Sequence, residues 1–123
     1  MHIRGLALVF AGGAIGALAR YGLDEWWASS AAWPWSTFVA NVAGSLLLGL
    51  LAGLIADPAD PRRLALGTGA LGGFTTYSAY AVQVDALVRN GDGALAITYA
   101  VASVVLGIAA AVAGLLASRR PAR

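Results

Sequence analysis

Residues 72–80 place helix-breaking and polar residues inside a stretch that is long enough to cross a bilayer. Their sequence is Gly-Gly-Phe-Thr-Thr-Tyr-Ser-Ala-Tyr, and the surrounding stretch 64–84 carries no charge. Non-helical backbone at membrane depth is tolerated only where protein or water satisfies its polar groups, typically at an ion or substrate site. Tyr77 and Tyr80 are three residues apart, so both rings lie on one helix face. The segment therefore predicts a span that is broken near its middle and a permeation or binding site at the break.

A second polar feature is a stripe of three side chains at intervals of four residues. Thr37, Asn41 and Ser45 fall on one face of a predicted helix. A carboxamide at mid-membrane must find partners, and the NH2 group of Asn41 offers two donors to an anion. The alternative is that Asn41 hydrogen-bonds to a neighbouring helix. The sequence leaves both interpretations open.

Two further sets of side chains have the same ambiguity. Tyr99 and Ser103 form an i, i+4 pair that is equally consistent with helix packing. Tyr77 and Tyr80 are also compatible with ordinary core packing. Aromatic ring edges are partially positive, however, so paired edges offer a weak anion site without a full charge.

The composition is that of a membrane protein. Of 123 residues, 59% are hydrophobic and 11% are charged, and the mean hydropathy is +0.75. A soluble domain of this size could not bury so much apolar surface. We predict one all-α unit, residues 1–123, with four transmembrane helices over about 3–26, 36–56, 63–87 and 93–117. A signal peptide fits the N-terminus poorly, because the apolar run leads through Arg20 without a small-residue cleavage site.

Several classes of function disagree with this sequence. The charge-free stretches contain no Asp, Glu, Lys or His, which argues against proton-coupled exchange. The chain has no Ser-His-Asp set, no metal-ligand cluster and no phosphate-binding loop, so we do not expect an enzyme. The net charge of +2 comes from arginines beside the spans, which does not indicate nucleic-acid binding.

The arginines predict an orientation. Six arginines fall on one side of the predicted bundle, at positions 4, 62, 63, 119, 120 and 123. Arg20 and Arg89 fall on the other side. By the positive-inside rule, both termini and the 57–63 loop are expected in the cytoplasm. Residues 24–35 hold all four tryptophans, which is typical of an anchor at the headgroup boundary.

Glycine pairs at i, i+4 recur at 12/16, 49/53 and 69/73. Such pairs let membrane helices approach closely, either within one subunit or between subunits. Four short helices have little interior in which to enclose a polar path. We therefore expect an oligomer.

Three segments together resemble the Fluc/CrcB fluoride channel family over nearly the whole chain. They are Gly-Gly-Ala-Ile-Gly-Ala-Leu-Ala-Arg-Tyr at 12–21, Thr-Phe-Val-Ala-Asn-Val-Ala-Gly-Ser-Leu-Leu-Leu-Gly at 37–49 and Gly-Ala-Leu-Gly-Gly-Phe-Thr-Thr-Tyr-Ser-Ala-Tyr at 69–80. The resemblance implies a fluoride-selective channel in the cell inner membrane that passively releases cytoplasmic fluoride and lowers its toxicity. It also implies an antiparallel dimer with two pores.

The resemblance assigns roles to particular residues. A central structural sodium ion, Na+, would be held by the backbone carbonyls of Gly72 and Thr75 and by the same pair from the partner, a common use of unwound membrane backbone. Asn41 would be the pore amide, and Arg20 would attract anions at a vestibule. Tyr99 and Ser103 would line the far part of the path. The candidate pore or fluoride site is thus Thr37, Asn41, Ser45, Tyr77, Tyr80, Tyr99 and Ser103.

The chain departs from the family pattern in its pore residues. Tyr77 and Tyr80 stand where phenylalanines are usual, Ala79 where a threonine is usual, and Gln83 where the residue is often acidic. Family members form dual-topology homodimers or obligate pairs of diverged chains. The altered rings and the unequal arginine distribution favour one half of a heterodimer.

Two other classes of membrane protein share part of this pattern. A small multidrug-resistance exporter has the same size and antiparallel pairing, but it should carry a glutamate in its first span, and residues 5–19 contain none. A non-conducting membrane assembly subunit would need neither the Asn41 stripe nor a break at 72–76.

Overall fold

The structure, a computed structural model, describes residues 2–119 and contains helices joined by short loops. Helix α1 spans Ile3–Trp26 and α2 spans Trp35–Leu54. Helix α3 runs without interruption through Pro61–Arg63, Leu64–Leu71 and Gly72–Phe74. Helix α4 spans Tyr77–Arg89, and α5 spans Gly93–Ser118. No strand occurs within this described range, so the predicted all-helical fold is confirmed there.

Three of the helices, α1, α2 and α5, are each long and apolar enough to cross a membrane. Their outward faces carry large apolar side chains that no residue in the described range covers. Phe10 is 80% exposed, Leu18 is 70% exposed and Ile97 is 67% exposed. Contiguous apolar surface of this kind requires an apolar surrounding, which a bilayer supplies. These three helices therefore support a membrane location.

The middle of α3 is a π-helix, in which an N–H bonds to the carbonyl five residues before it. The π-helical part is Leu64–Leu71, and the N–H of Gly72 donates to the carbonyl of Gly67. Segments of this type occur mostly as short insertions inside α-helices, and they are frequent at functional sites. After Phe74 the chain leaves helical geometry, and α4, with 13 residues, is too short to cross a bilayer alone.

Close glycine contacts hold the helices together in two pairs, α1 with α3 and α2 with α5. A Cβ atom at Gly12 or at Gly16 would overlap the main chain of Ala70 on α3. A Cβ atom at Gly49 on α2 would overlap the carbonyl of Ala111 on α5. These glycines let backbones touch, which is how membrane helices gain packing energy. They serve contacts within one chain and do not by themselves argue for an oligomer.

The loop between α2 and α3 is closed by two arginines. The Arg63 guanidinium donates to the carbonyls of Ile55 at 3.0 Å and Ala56 at 2.7 Å, just beyond the end of α2. Asp60 caps α3 by accepting the Arg62 N–H at 2.8 Å. Hydrogen bonds from the Arg62 side chain lower the pKa of Asp60 to about 2. The arginine pair that predicts orientation therefore also builds this turn.

The segment that joins α1 and α2, residues 26–35, holds all four tryptophans and is called the tryptophan loop below. It lies at the opposite end of the molecule and packs onto Tyr99, the only fully buried large side chain in the described range. Trp33 meets Tyr99 edge-to-face, with ring centroids 5.3 Å apart, and meets Phe38 in the same manner at 5.2 Å. Leu87 and Ala96 complete this small core. Edge-to-face pairs add stabilisation beyond their buried area, so the loop is fixed to the ends of α2, α4 and α5.

Candidate functional site

The backbone is extended at two consecutive residues between α3 and α4. Thr75 has φ −80° and ψ 155°, and Thr76 has φ −147° and ψ 127°. Both the N–H and the hydroxyl of Thr75 donate to the carbonyl of Leu71, at 3.0 and 2.9 Å. The hydroxyl of Thr76 accepts the Ala79 N–H at 3.2 Å and caps α4. Threonine suits this place because its hydroxyl replaces helical hydrogen bonds on both sides.

The expectation that the whole segment 72–76 is non-helical is wrong for its first three residues. Gly72–Phe74 is helical, and the extended backbone is confined to Thr75 and Thr76. A Cβ atom at Gly73 would overlap the main chain of Gly13. Glycine is therefore required at position 73 for close packing of α3 on α1, and not for leaving the helix.

Asn41 bonds to both backbone groups of Thr76. Its Nδ2 donates to the Thr76 carbonyl at 2.9 Å, and its Oδ1 accepts the Thr76 N–H at 2.8 Å. Of the two interpretations of Asn41, bonding to a neighbouring element is thus realised in the geometry. A carboxamide nitrogen carries two hydrogens, so one N–H of Asn41 remains for another acceptor.

A groove of about 620 Å³ lies beside the break, and seven of the predicted site residues line it. Those residues are Asn41, Ser45, Gly72, Thr75, Tyr77, Tyr80 and Ser103. The lining contains no charged side chain. The hydroxyl of Ser45 donates to the main-chain carbonyl of Asn41 at 2.7 Å. The buried hydroxyl of Ser103 has no hydrogen-bond partner in the described part of the chain. The groove is therefore apolar with a few neutral polar groups.

The two tyrosines of the groove differ in solvent exposure and in hydrogen bonding. Tyr77 is 81% exposed, and its ring lies 5.9 Å from that of Tyr80. The Tyr80 hydroxyl donates to the Ala100 carbonyl at 3.1 Å, which fixes the ring against α5. The Tyr80 ring also lies 5.6 Å from that of Tyr99. A row of rings thus runs from the groove towards the tryptophan loop.

Thr37 and Tyr99 lie outside the groove and belong to a separate buried network. The amide Nε2 of Gln83 donates to the Thr37 hydroxyl at 2.8 Å, and the Tyr99 hydroxyl donates to Gln83 Oε1 at 2.8 Å. Thr37 is 3% exposed and Tyr99 is 0% exposed. The stripe predicted from residues 37, 41 and 45 therefore divides, with Asn41 and Ser45 at the groove and Thr37 behind it.

Arg20 lies near the end of α1 and does not line the groove. Its Nη1 is 3.9 Å from Oδ2 of Asp24, and the Ser36 hydroxyl donates to the other carboxylate oxygen at 2.7 Å. The Arg20 side chain is 30% exposed, and the carboxylate compensates part of its charge. The vestibule role of Arg20 stays a prediction.

Among the described residues, the carbonyls of Gly72 and Thr75 lack the hydrogen bonds that helical carbonyls normally accept. In a continuous helix the Thr76 N–H would donate to the Gly72 carbonyl, but here it donates to Asn41. Within residues 2–119, no donor reaches the carbonyl of Gly72 or that of Thr75. Carbonyl oxygens are suitable ligands for a hard cation, so the two groups fit a sodium site in chemistry and availability.

A comparison with family models decides the relationship of this chain to known proteins. The model described as "CrcB-like protein, Camphor Resistance (CrcB)" matches residues 7–115. The chain belongs to the CrcB family. The match includes the break, the groove and the buried network, so all the predicted site residues are within the matched range.

Curated CrcB relatives align over most of their length. A protein named fluoride-specific ion channel FluC from Phenylobacterium zucineum is 45% identical over 96% of this chain and 98% of its own. Proteins with the same name from Caulobacter sp. strain K31 and Erythrobacter litoralis are 43% and 46% identical, and cover 94% and 88% of this chain. The alignments cover 94% and 87% of those two relatives.

Sequence reasoning did not assign the structural roles of three residues at this site. Gln83 joins Thr37 to Tyr99, Thr76 is the backbone partner of Asn41, and Thr68 lines the groove. The signal for Gln83 was an amide on an otherwise apolar helix face, which must find partners at membrane depth. Thr76 had the local signal of a helix cap, a hydroxyl residue placed directly before a new helix.

Proposed function

We propose that this chain is a subunit of a fluoride-selective channel, which lets cytoplasmic fluoride leave passively and so confers fluoride resistance. Membership of the CrcB family carries the proposal, since its curated relatives are named fluoride-specific ion channels. The role is conduction of fluoride down its gradient, in a multi-pass protein of the cell inner membrane.

The groove has the chemistry that a small anion requires. Its lining includes Asn41, with one amide N–H left for another acceptor, the rings of Tyr77 and Tyr80, and Ser103, whose hydroxyl has no partner among residues 2–119. Neutral donors replace water around fluoride without the deep trap that an arginine or lysine would make, because conduction needs binding weak enough to allow exit. The lining also lacks a carboxylate, which a proton-coupled exporter of the small multidrug-resistance type would use.

An antiparallel partner chain completes the pore in this proposal. The groove is open on one side, and both the 81% exposed ring of Tyr77 and the exposed Gly72 line it. A second chain packed there would bury the ring and convert the groove into a closed path. The residues 61–89 would then form the third span, broken at Thr75 and Thr76, and the termini would lie in the cytoplasm. The partner is a second copy or a diverged relative, and the unequal arginines favour the relative.

The proposed sodium site lies where the break meets the partner. The carbonyls of Gly72 and Thr75 have no donor within the described residues, and the same pair from an antiparallel partner would give four oxygens. No group of three acidic, histidine or cysteine side chains in residues 2–119 offers another metal site. A bound sodium would supply structural charge at the dimer centre and would not be transported.

Ion efflux from liposomes tests the channel function. The purified chain, alone and together with a co-expressed relative, is reconstituted, and the release of fluoride and chloride is measured. We expect fluoride release far faster than chloride release, because the curated relatives of this chain are named fluoride-specific ion channels. Equal release of the two anions from vesicles that contain folded protein would refute fluoride selectivity.

A pair of hydroxyl deletions on α5 tests the groove. Ser103→Ala removes an unpartnered hydroxyl from the lining, and we expect fluoride efflux to fall roughly two- to tenfold, the value of one neutral hydrogen bond. Thr98→Ala is the matched control, because the Thr98 hydroxyl bonds to the Ala94 carbonyl on an exposed face. Equal efflux in the two variants would contradict the placement of the path along the groove.

A further inference from the structure

The contact between Asn41 and Thr76 joins residues 35 positions apart in the chain. It is reciprocal, with both bonds shorter than 3.0 Å, and each group of the carboxamide meets the complementary backbone group. The Ser45 hydroxyl, one helical turn further along α2, donates to the main-chain carbonyl of Asn41 and leaves the Asn41 carboxamide free for Thr76. The Asn41 side chain is therefore fixed by the extended backbone at position 76.

This contact replaces the main-chain hydrogen bond that would make the helix continuous through Thr75 and Thr76. The Thr76 N–H is the group that would return to the Gly72 carbonyl in a continuous helix. With Asn41 as its acceptor, Thr76 keeps φ −147° and ψ 127°, and the Gly72 carbonyl loses its donor. A backbone group left without partners at membrane depth would be costly, so the carboxamide stabilises an otherwise unfavourable conformation.

We propose that Asn41 is a positioning residue that holds the backbone break between α3 and α4, and that it offers only its second N–H to a permeating anion. The anion part rests on the proposed fluoride channel function, whereas the backbone part does not. The availability of the Gly72 carbonyl for a cation then depends on a side chain of α2.

The sequence permits a direct measurement at the break. Thr75 and Thr76 are the only consecutive threonines among 123 residues, so a chain labelled with ¹³C,¹⁵N-threonine has one peptide bond between labelled residues. Solid-state NMR of the labelled protein in lipid bilayers should give one threonine-threonine carbonyl-to-nitrogen correlation. Its ¹³Cα and ¹³Cβ shifts report whether Thr75 and Thr76 are extended or helical.

Two variants of Asn41 are compared with two controls. Asn41→Ala removes both bonds, and Asn41→Asp keeps the acceptor for the Thr76 N–H but turns an oxygen towards the Thr76 carbonyl. We expect both to move the threonine correlation and to lower fluoride efflux by about tenfold or more, as small misplacements of a site do. Ser45→Ala, which removes a hydroxyl of the same groove, should leave the correlation unchanged. Gln83→Leu, which weakens a different buried network, should also leave it unchanged.

The outcomes separate this proposal from a role in ion contact alone. An unchanged correlation in folded Asn41→Asp or Asn41→Ala would overturn it, whether or not efflux is lost. If neither variant folds, the wild type labelled in both asparagine and threonine decides, because a ¹⁵Nδ2-to-¹³C′ contact between Asn41 and Thr76 must be present, and its absence refutes the proposed positioning of the break by Asn41. The NMR signals need no ion flux, so a failure of fluoride conduction would refute the channel function and leave the positioning result separate.

Discussion

The buried network around Gln83 provides the sharpest test of the packing at the tryptophan end. Replacing Gln83 by Leu keeps the side-chain volume similar but leaves the hydroxyls of Thr37 and Tyr99 without their partner, at 3% and 0% exposure. An unsatisfied buried group costs about 1–3 kcal/mol in water-soluble proteins, which gives roughly 2–6 kcal/mol for two. Hydrogen bonds between membrane helices average only about 0.6 kcal/mol, with a maximum near 1.7, because the unfolded chain finds other partners in lipid. We therefore expect Gln83→Leu to lower the free energy of unfolding by about 1–3 kcal/mol.

The assay is reversible unfolding of the purified protein in mixed detergent micelles. Gln83→Glu is the matched control, because its two oxygens can accept from both hydroxyls once the Thr37 hydrogen rotates. It should lose less stability than Gln83→Leu. A cycle with Tyr99→Phe should give a coupling energy of about 1 kcal/mol, since the two residues share one hydrogen bond. If Gln83→Leu unfolds at the same detergent fraction as the wild type, the network contributes nothing and the reasoning fails.

Other predictions concern the groove, the helix contacts and the orientation. Asn41→Asp should nearly abolish fluoride efflux from liposomes, because the aspartate would repel a passing fluoride ion. For two unit charges about 4 Å apart, the repulsion is about 4 kcal/mol at an effective dielectric constant near 20. Normal flux in the assembled variant would contradict this. Gly16→Ala should lower the unfolding free energy by about 1–3 kcal/mol, because its Cβ would overlap the main chain of α3, whereas Gly22→Ala, with open space around it, should not. Gly91→Ala should cost about 1–2 kcal/mol at φ +84°, and Gly93→Ala, at the start of α5, should cost less; equal unfolding midpoints would refute the strain. Topology reporters at the C-terminus should locate it in the cytoplasm in nearly all copies, and equal signals from both sides would refute a fixed orientation.

The all-helical fold could be predicted from the sequence because long apolar runs with few charges form helices in a membrane. The i, i+4 spacing put Asn41 and Ser45 on one face of α2, and the i, i+3 spacing put Tyr77 and Tyr80 on one face of α4, but only the family resemblance joined the two pairs at one site. The family resemblance is confirmed by the match of the CrcB model. These successes depend on local periodicity and on order along the chain.

Contacts between distant residues could not be predicted in the same way. The helical Gly73 is explained only by its contact with Gly13, sixty residues earlier. Thr37 shares the periodicity of Asn41, yet Gln83 of α4 lies against it and separates it from the groove. Local spacing gives the face of a helix but not the neighbour that covers it, and the neighbour decides between pore lining and core.

The location of the four tryptophans gives the molecule a built-in optical marker. All lie within residues 26–35, from the last residue of α1 to the first residue of α2, and Trp26 is 81% exposed while Trp35 is 42% exposed. Intrinsic fluorescence therefore reports one face of the bilayer only. An impermeant quencher added outside sealed vesicles, compared with the same quencher after permeabilisation, counts the chains whose tryptophans face outwards. In native membrane vesicles of one known sidedness, after the emission of matched vesicles without this chain is subtracted, uniform insertion gives quenching of nearly all or almost none of the remaining emission. An antiparallel pair of identical chains gives about half, without any tag on the protein.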